Sequence, residues 1–468
     1  MLAMACSPAT VREYAMDASS FDYDLAVIGG GSGGLAAAFA AAGHGARTVL
    51  FEPGELGGTC VNAGCVPKKA MWLAAGLAEG FGLAARIGFQ DVPPRPDWAR
   101  LVEHRQAYIA GIHASYRTRL DTAGVSLVPS RARLVDAHTV EDADGIRRRV
   151  AHVVVATGAH AVRPSIPGAA LGALSDDFFR LTAAPRRVAV VGGGYVAVEL
   201  AAILQLLGSR VELVVRDARL LPQADAEVAA VLADNLRQQG VRVAFDTTVT
   251  ALAPAGDGVR VGTDGDFDGT TVDQAFFAVG RRANLAGLGL EALGITPGPD
   301  GELPVDEWQD TAVAGVHAIG DVTGRAALTP VAIAAARRLM ARLFGGQAGA
   351  RLDYADIPTV VFAHPPLAQV GLTEAQARER FGADVRVYRS RFRPMLRALA
   401  GSPLCSLFKL VCTGPDERVV GIHLLGEGSE EILQGFAVAL KMGLTRHQLQ
   451  AAVALQPTSA EELVLIGP

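Results

Sequence analysis

Apolar positions follow two rhythms along the chain. Up to about residue 350, short and nearly unbroken apolar runs alternate with longer stretches of helical period. That is the pattern of parallel strands buried on both faces by crossover helices. Asp24–Ile28, Thr48–Phe51, Val150–Ala156, Val188–Val191, Val211–Val215, Val272–Val279 and Val316–Asp321 read as strands, and Leu35–Gly43, Ala70–Leu83, Trp98–Ala123 and Leu328–Leu343 as helices. From about Arg351 the rhythm changes. Pro358–Leu372, Val385–Phe392 and Leu407–Leu424 alternate as antiparallel strands do, and helices follow at Ser429–Met442 and Arg446–Ala451. The fold class expected is α/β, with two Rossmann-like dinucleotide-binding domains followed by a C-terminal α+β domain.

Two of the strands run straight into glycine. In GGGSGG, Gly29, Gly31 and Gly34 fit GxGxxG, with Ser32 and Gly33 between them. The first glycine permits the tight turn, the second lets backbone approach a pyrophosphate, and the third lets helix pack on strand. Glu52 closes the next strand about 20 residues on, where a carboxylate holds a ribose 2′-OH. An unphosphorylated ribose fits the adenosine of FAD. In GGGYVAVEL, Gly192, Gly194 and Ala197 form a GxGxxA variant, but its second strand ends at Arg216. An arginine pairs with a 2′-phosphate that a carboxylate would repel, so NADPH is expected over NADH, with Arg219 as a further cation.

The stretch Gly57–Lys69, GGTCVNAGCVPKK, carries Cys60 and Cys65 just ahead of a helical run. Residues i and i+5 are not stacked on a helix, so pairing them needs a distorted turn, which Gly64 would permit. A redox pair is preferred to a metal site or two unrelated thiols. Metal needs more soft ligands than this segment offers, and Cys6, Cys405 and Cys412 are scattered. No metal is expected. At 468 residues the chain is too long for one core, and its 50% hydrophobic and 19% charged composition is that of a globular protein. A net charge of −5 gives no reason to expect nucleic acid or an anionic membrane as partner. No apolar run reaches the roughly 18–20 residues that span a bilayer. The first twenty residues carry acids and arginine where a signal peptide has its apolar core, and read as a disordered tail. Five cysteines with one obvious pair argue for a reducing compartment, hence the cytoplasm.

GGTCVNAGCVPKK, continued by Ala70-Met71-Trp72, resembles the redox-active disulfide of flavin-dependent disulfide reductases, and VPKKAMW is most similar to the glutathione reductase family. The match runs from about Tyr23 to Leu465. It implies a tail at 1–21, an FAD domain at 22–160 completed by 286–350, an NADPH domain at 161–285, and a dimerisation domain at 351–468 that includes LQGFAVALKMG, Leu433–Gly443. It implies a homodimer that reduces glutathione disulfide. FAD would be held by Gly29, Gly31, Ser32, Gly33, Gly34, Glu52, Gly58, Thr59, Cys60, Lys68, Thr157, Gly158, Gly280, Asp321 and Thr329. Asp321 would bond the ribityl chain, unless it serves as N-cap of the helix at Leu328.

NADPH would lie on Gly192, Gly194, Tyr195, Ala197, Glu199, Arg216 and Arg219, with Tyr195 covering the nicotinamide pocket. The resemblance further implies that Lys68 pairs with Glu199 beside the flavin, that Cys65 lies nearer the ring, and that Cys60 attacks substrate. Ser32, Tyr108, Tyr116 and Arg337 match glutathione-contacting positions, and Arg119 stands in for an arginine missing at Phe39–Ala40. The chain departs from the family at one catalytic position. Where the pattern has histidine before Pro-Thr, this sequence has Gln456, although the following Glu461 is kept. An amide does not titrate, so proton transfer to the leaving thiol would be slowed. The alternatives are an NADPH-oxidising flavoprotein (diaphorase, redox sensor or binding protein) and a reductase of another small anionic disulfide. A mercuric reductase would need an extra cysteine pair near the C-terminus, and a lipoamide dehydrogenase would prefer an acid at Arg216.

Overall fold

A computed structural model describes residues 20–90, 96–265 and 269–467. The tail expected at 1–21 lies outside the described residues as far as residue 19. Phe21 already belongs to the fold, buried against His138 with its carbonyl accepting from Arg47. The chain divides into two compact units. One comprises the chain up to Gly58 with Ser115–Gly158 and Ala283–Leu352; the other comprises Thr59–Ala114, Ala159–Arg282 and Asp353 onward. Among the described residues, no helix is long and apolar enough to cross a membrane.

The first unit is built on a seven-stranded sheet. Tyr23–Ile28 lies between Thr48–Phe51 and Arg147–Val155, parallel to both, and Val316–Ala318 also pairs in parallel with Arg147–Val155. Alternation along Tyr23–Ile28 divides the core. Leu25 and Val27 join the cluster of helices Ser32–Gly43 and Thr329–Leu343, whereas Ala26 and Ile28 pack with Val49, Phe51, Val153 and Val155. Helix Ser32–Gly43 is almost uniformly small and apolar, as suits a helix held between a sheet and a second helix.

The second unit holds a five-stranded parallel sheet, ordered Arg242–Ala244, Arg210–Val214, Arg187–Val191, Gln274–Phe277 and Ala173–Leu174. The strand expected over Val272–Val279 is divided. Thr271–Val272 joins an antiparallel sheet with Gly258–Thr263, while Gln274–Phe277 pairs with Arg187–Val191. Asp273 marks the break, because its carboxylate accepts the Arg186 and Arg187 amides at 2.9 and 3.0 Å and so ties the chain to the start of that strand. The C-terminal part forms an antiparallel sheet in the order Thr359–Val361, Leu367–Gly371, Arg418–Leu425, Ser406–Thr413 and Val385–Phe392. Helix Ser429–Lys441 packs Leu433, Ala437 and Leu440 into the same cluster as Val370, Ile422 and Leu424. That spacing is one face of a helix.

Candidate active site

In the first unit the glycine loop is shaped by close contacts with the chain's own backbone. Gly29 has φ +108°, and a Cβ there would lie 2.5 Å from the Ala156 carbonyl oxygen. A Cβ on Gly34 would lie 1.8 Å from the Gly29 oxygen. A Cβ on Gly58 would lie 2.7 Å from the Gly31 Cα, beside a bridge between Gly31 and Gly57. Glu52 is locked into this loop: its carboxylate accepts from Gly30 N at 2.7 Å and Gly54 N at 2.8 Å. A carboxylate fixed this way keeps lone pairs for a further hydroxyl. Thr157 and Gly158 are tied to Asn284 by three hydrogen bonds of 2.8–2.9 Å. Gly33 faces Ile319 and Ala332, which flank Asp321 and the start of the helix carrying Thr329. Asp321 does not cap that helix. It lies in the one-turn helix Gly320–Thr323, and the cap position is taken by Leu328.

In the second unit the two cysteines lie on either side of a break. Helix Gly58–Asn62 carries Cys60, and helix Cys65–Arg86 begins at Cys65, earlier than its periodicity predicts. Pro67 falls within the first turn, where its missing N–H costs no intrahelical bond. At Gly64 a Cβ would stand 2.8 Å from the Thr59 oxygen and 3.4 Å from the Cys60 Cα, so only glycine lets the chain double back this closely. Cys60 is half-buried and Cys65 exposed.

One turn along the same helix, Lys68 Nζ pairs with Glu199 Oε1 at 2.9 Å, both side chains being almost buried. Sequence reasoning missed Phe362, which completes this group. Its amide donates to the same Glu199 oxygen at 2.8 Å, and its ring centroid lies 3.7 Å from Lys68 Nζ and 4.3 Å from Lys69 Nζ. Burial pushes the Glu199 carboxyl up, against the opposing pull of Lys68 and the Phe362 amide. Burial also pulls the Lys69 ammonium down. No local signal in the sequence singles out Phe362, which is brought to the lysines by tertiary structure alone. Thr59 is contacted by Arg281, whose guanidinium also pairs with Asp176 at 2.8 Å and donates to the Ala159 carbonyl.

The second glycine loop repeats the first in outline. Gly192 has φ +137°, with the Ala278 oxygen 2.3 Å from where its Cβ would be, whereas a Cβ on Gly194 would meet open space. Helix Tyr195–Leu206 starts immediately afterwards, with Tyr195 exposed and Ala197 and Glu199 buried. Arg216 is largely exposed and lies 3.5 Å from Asp217. Arg219 is engaged with its own turn, donating to the Pro222 and Ala224 carbonyls at 2.6 and 3.1 Å.

The other predicted residues are dispersed. Within the first unit the Arg119 guanidinium sits 4.4 Å over the Phe39 ring and 5.9 Å from that of Tyr116, while Arg337 is exposed on helix Thr329–Leu343. Within the second, Tyr108 is exposed, Gly280 adopts φ +135°, Gln456 is exposed, and Glu461 opens the short helix Glu461–Val464.

A family model described as pyridine nucleotide-disulphide oxidoreductase matches residues 23–336, and the dimerisation-domain model of the same family matches residues 357–466. A glutathione reductase of Schizosaccharomyces pombe is 41% identical over 458 residues, covering 95% of this chain and 98% of the relative. One from Yarrowia lipolytica is 40% identical over 461 residues, covering 94% and 98%. Among solved structures, the HOCl-induced flavoprotein disulfide reductase RclA from Escherichia coli superposes with a TM-score of 0.84 at 26% identity, covering 94% of this chain and 98% of that one. With both of its parts matched and relatives aligned along nearly its whole length, the chain belongs to the pyridine nucleotide-disulphide oxidoreductase family.

Proposed function

We propose that the chain is a flavoprotein disulfide reductase that takes electrons from NADPH and reduces glutathione disulfide, working as a homodimer through the C-terminal domain. The observation that carries this reading is the Cys60–Cys65 turn, folded on Gly64 and followed one turn later by the buried Lys68–Glu199 pair. FAD fits the first loop, where backbone approaches closely at Gly31 and Gly58 and where Glu52 is held with acceptor capacity to spare. NADPH fits the second, where Gly194 leaves space for a pyrophosphate and Arg216 offers an exposed guanidinium to a 2′-phosphate. Bound FAD supplies the two-electron relay between the nicotinamide and the cysteine pair.

The remaining chemistry belongs to the chain's own residues. Lys68 holds a positive charge, balanced by Glu199, where negative charge gathers during reduction. Cys60 attacks one sulfur of glutathione disulfide as thiolate; a mixed disulfide forms and the first glutathione leaves. Cys65 then attacks Cys60 Sγ, the mixed disulfide breaks, the second glutathione leaves, and the Cys60–Cys65 disulfide is restored. Two electrons leave the cysteine pair and each departing thiolate takes up a proton. Gln456 can orient a substrate or a water but cannot deliver that proton, so reoxidation by disulfide is the slow half of the cycle.

The test is steady-state NADPH oxidation with glutathione disulfide, compared with oxygen or a quinone as sole acceptor. Turnover that depends on glutathione disulfide supports the reading. A rate that the disulfide leaves unchanged would replace it with an NADPH-oxidising flavoprotein, the reading that Gln456 favours. Gln456→His should raise single-turnover reoxidation by at least about tenfold, toward the range for general catalysis.

A further inference from the structure

Asn62 lies between the two cysteines, as the last residue of the short helix that carries Cys60. Its side-chain oxygen meets His113 Nε2 at 2.8 Å. His113 belongs to the 26-residue helix Trp98–Ala123, a long element well suited to hold a turn in place. An amide oxygen only accepts, so Nε2 carries the hydrogen and donates. That bond survives whether the ring is neutral or protonated, since Nε2 keeps its hydrogen in both forms.

We propose that His113 is a positioning residue for the cysteine pair: its bond to Asn62 holds the segment Val61–Gly64 in the arrangement that brings Cys60 and Cys65 within bonding reach. The proposal rests on the redox reading of that pair. The physical argument is one of effective concentration. Closing a disulfide across so short a loop requires the intervening backbone to occupy a narrow set of conformations, and a side-chain tie to a rigid helix removes many of the others. Gly64 lets the chain turn back, and the Asn62–His113 bond limits where it can go. Without that bond, the dithiol gains freedom that the disulfide lacks, and the equilibrium moves toward dithiol. The pair then becomes more oxidising.

The experiment is a redox titration of the intact, FAD-loaded protein against oxidised and reduced dithiothreitol, without oxygen. Two electrons and two protons pass from the cysteine pair to oxidised dithiothreitol, and the reverse reaction restores the dithiol. Acid quenching, alkylation and mass spectrometry of the Cys60–Cys65 peptide give the equilibrium constant directly. His113→Ala and Asn62→Ala should each shift it about threefold to tenfold toward dithiol, the range expected for one lost hydrogen bond. For a two-electron couple that is about 14–30 mV. The double variant should shift no further than either single one, because both remove the same bond. His113→Gln, which keeps an N–H donor without a titrating ring, should return to within about twofold of the parent.

An unchanged equilibrium in His113→Ala, additive shifts in the double variant, or a His113→Gln variant as displaced as His113→Ala would each overturn the proposal. Circular dichroism and flavin content establish that the variants fold; should His113→Ala not fold, Asn62→Ala reads the same bond from its other end. A parent protein that forms no Cys60–Cys65 disulfide at any buffer ratio would instead remove the redox reading itself. That result is distinct from a normal disulfide that ignores His113.

Discussion

The two glycine loops share a backbone and differ in the residue that closes the next strand. Each opens on a glycine with positive φ, +108° at Gly29 and +137° at Gly192, pressed against the carbonyl of a neighbouring strand's end. Each caps its helix with an extended glycine, Gly31 or Gly194. Each is then fastened from outside in the same way. The amide of Gly57 donates to Gly30 O at 2.8 Å, and the amide of Leu221 donates to Gly193 O at 2.8 Å. Counted from the closing residue, Glu52 or Arg216, the two donors occupy the same position. The closing residues themselves behave differently. Glu52 is bonded into its own loop by two amides, whereas Arg216 is exposed. The common frame suits a pyrophosphate. A fixed carboxylate suits a nucleotide that stays, and an exposed guanidinium suits one that arrives with a phosphate and leaves.

Alanine at the helix-facing position should separate the two loops most sharply. The second loop already has alanine there, Ala197, but in the first a Cβ on Gly34 would stand 1.8 Å from the Gly29 oxygen. Relief requires the helix to move, at a cost of about 3 kcal/mol or more. Gly34→Ala should therefore be purified with little flavin absorbance and with a thermal midpoint lowered by several degrees. Gly194→Ala should fold and keep its flavin, since its Cβ meets only open space, yet lose NADPH affinity by at least about tenfold because that space is where phosphate would lie. Full flavin in Gly34→Ala would mean that the two loops tolerate the same side chains.

The next effect isolates the closing residue. Replacing Arg216 by Leu removes a charge-assisted contact to a 2′-phosphate worth about 1.5–3 kcal/mol. kcat/KM for NADPH should fall about 10–100-fold, while that for NADH changes by less than about twofold. Arg216→Glu should reverse the remaining preference, imitating Glu52 of the first loop. Equal losses with both nucleotides would show that Arg216 does not read the phosphate.

Much of this was legible in the sequence because it is local. A strand, three glycines and an acid lie within one βαβ unit, and the cysteine pair declares itself by its glycines and its place before a helix. The features that were not legible depend on partners far apart in the chain. Phe362 reaches Lys68 and Glu199 from the C-terminal part, and His113 reaches Asn62 from a helix whose pattern suggested only Tyr108 and Tyr116. The divided strand at Asp273 and the ordered Phe21 were hidden for the same reason, since each is decided by a carboxylate or carbonyl contact with distant backbone or side chain. Asp321 shows the converse: its position allowed a capping role, but the chain forms a separate turn before the helix begins.

The smallest effect tests whether Arg219 shares in reading the phosphate. By charge and position it is a candidate, one turn beyond Arg216. By geometry two arms of its guanidinium are engaged, donating to the carbonyls of Pro222 and Ala224. Those carbonyls belong to the turn that includes Leu221, whose amide fastens Gly193. Arg219 therefore acts on the loop as a clamp on its fastening, and a clamp affects every nucleotide alike. Arg219→Ala should lower stability by about 1 kcal/mol, the worth of a modest hydrogen-bonded contact. It should raise KM for NADPH and NADH by similar small factors, leaving their ratio within about twofold. Arg219→Lys should not rescue the variant, because a single ammonium cannot reproduce a fork that spans two carbonyls. A ratio that falls tenfold toward NADH would instead give Arg219 a share of the phosphate, and the second loop would then differ from the first by two residues, not one.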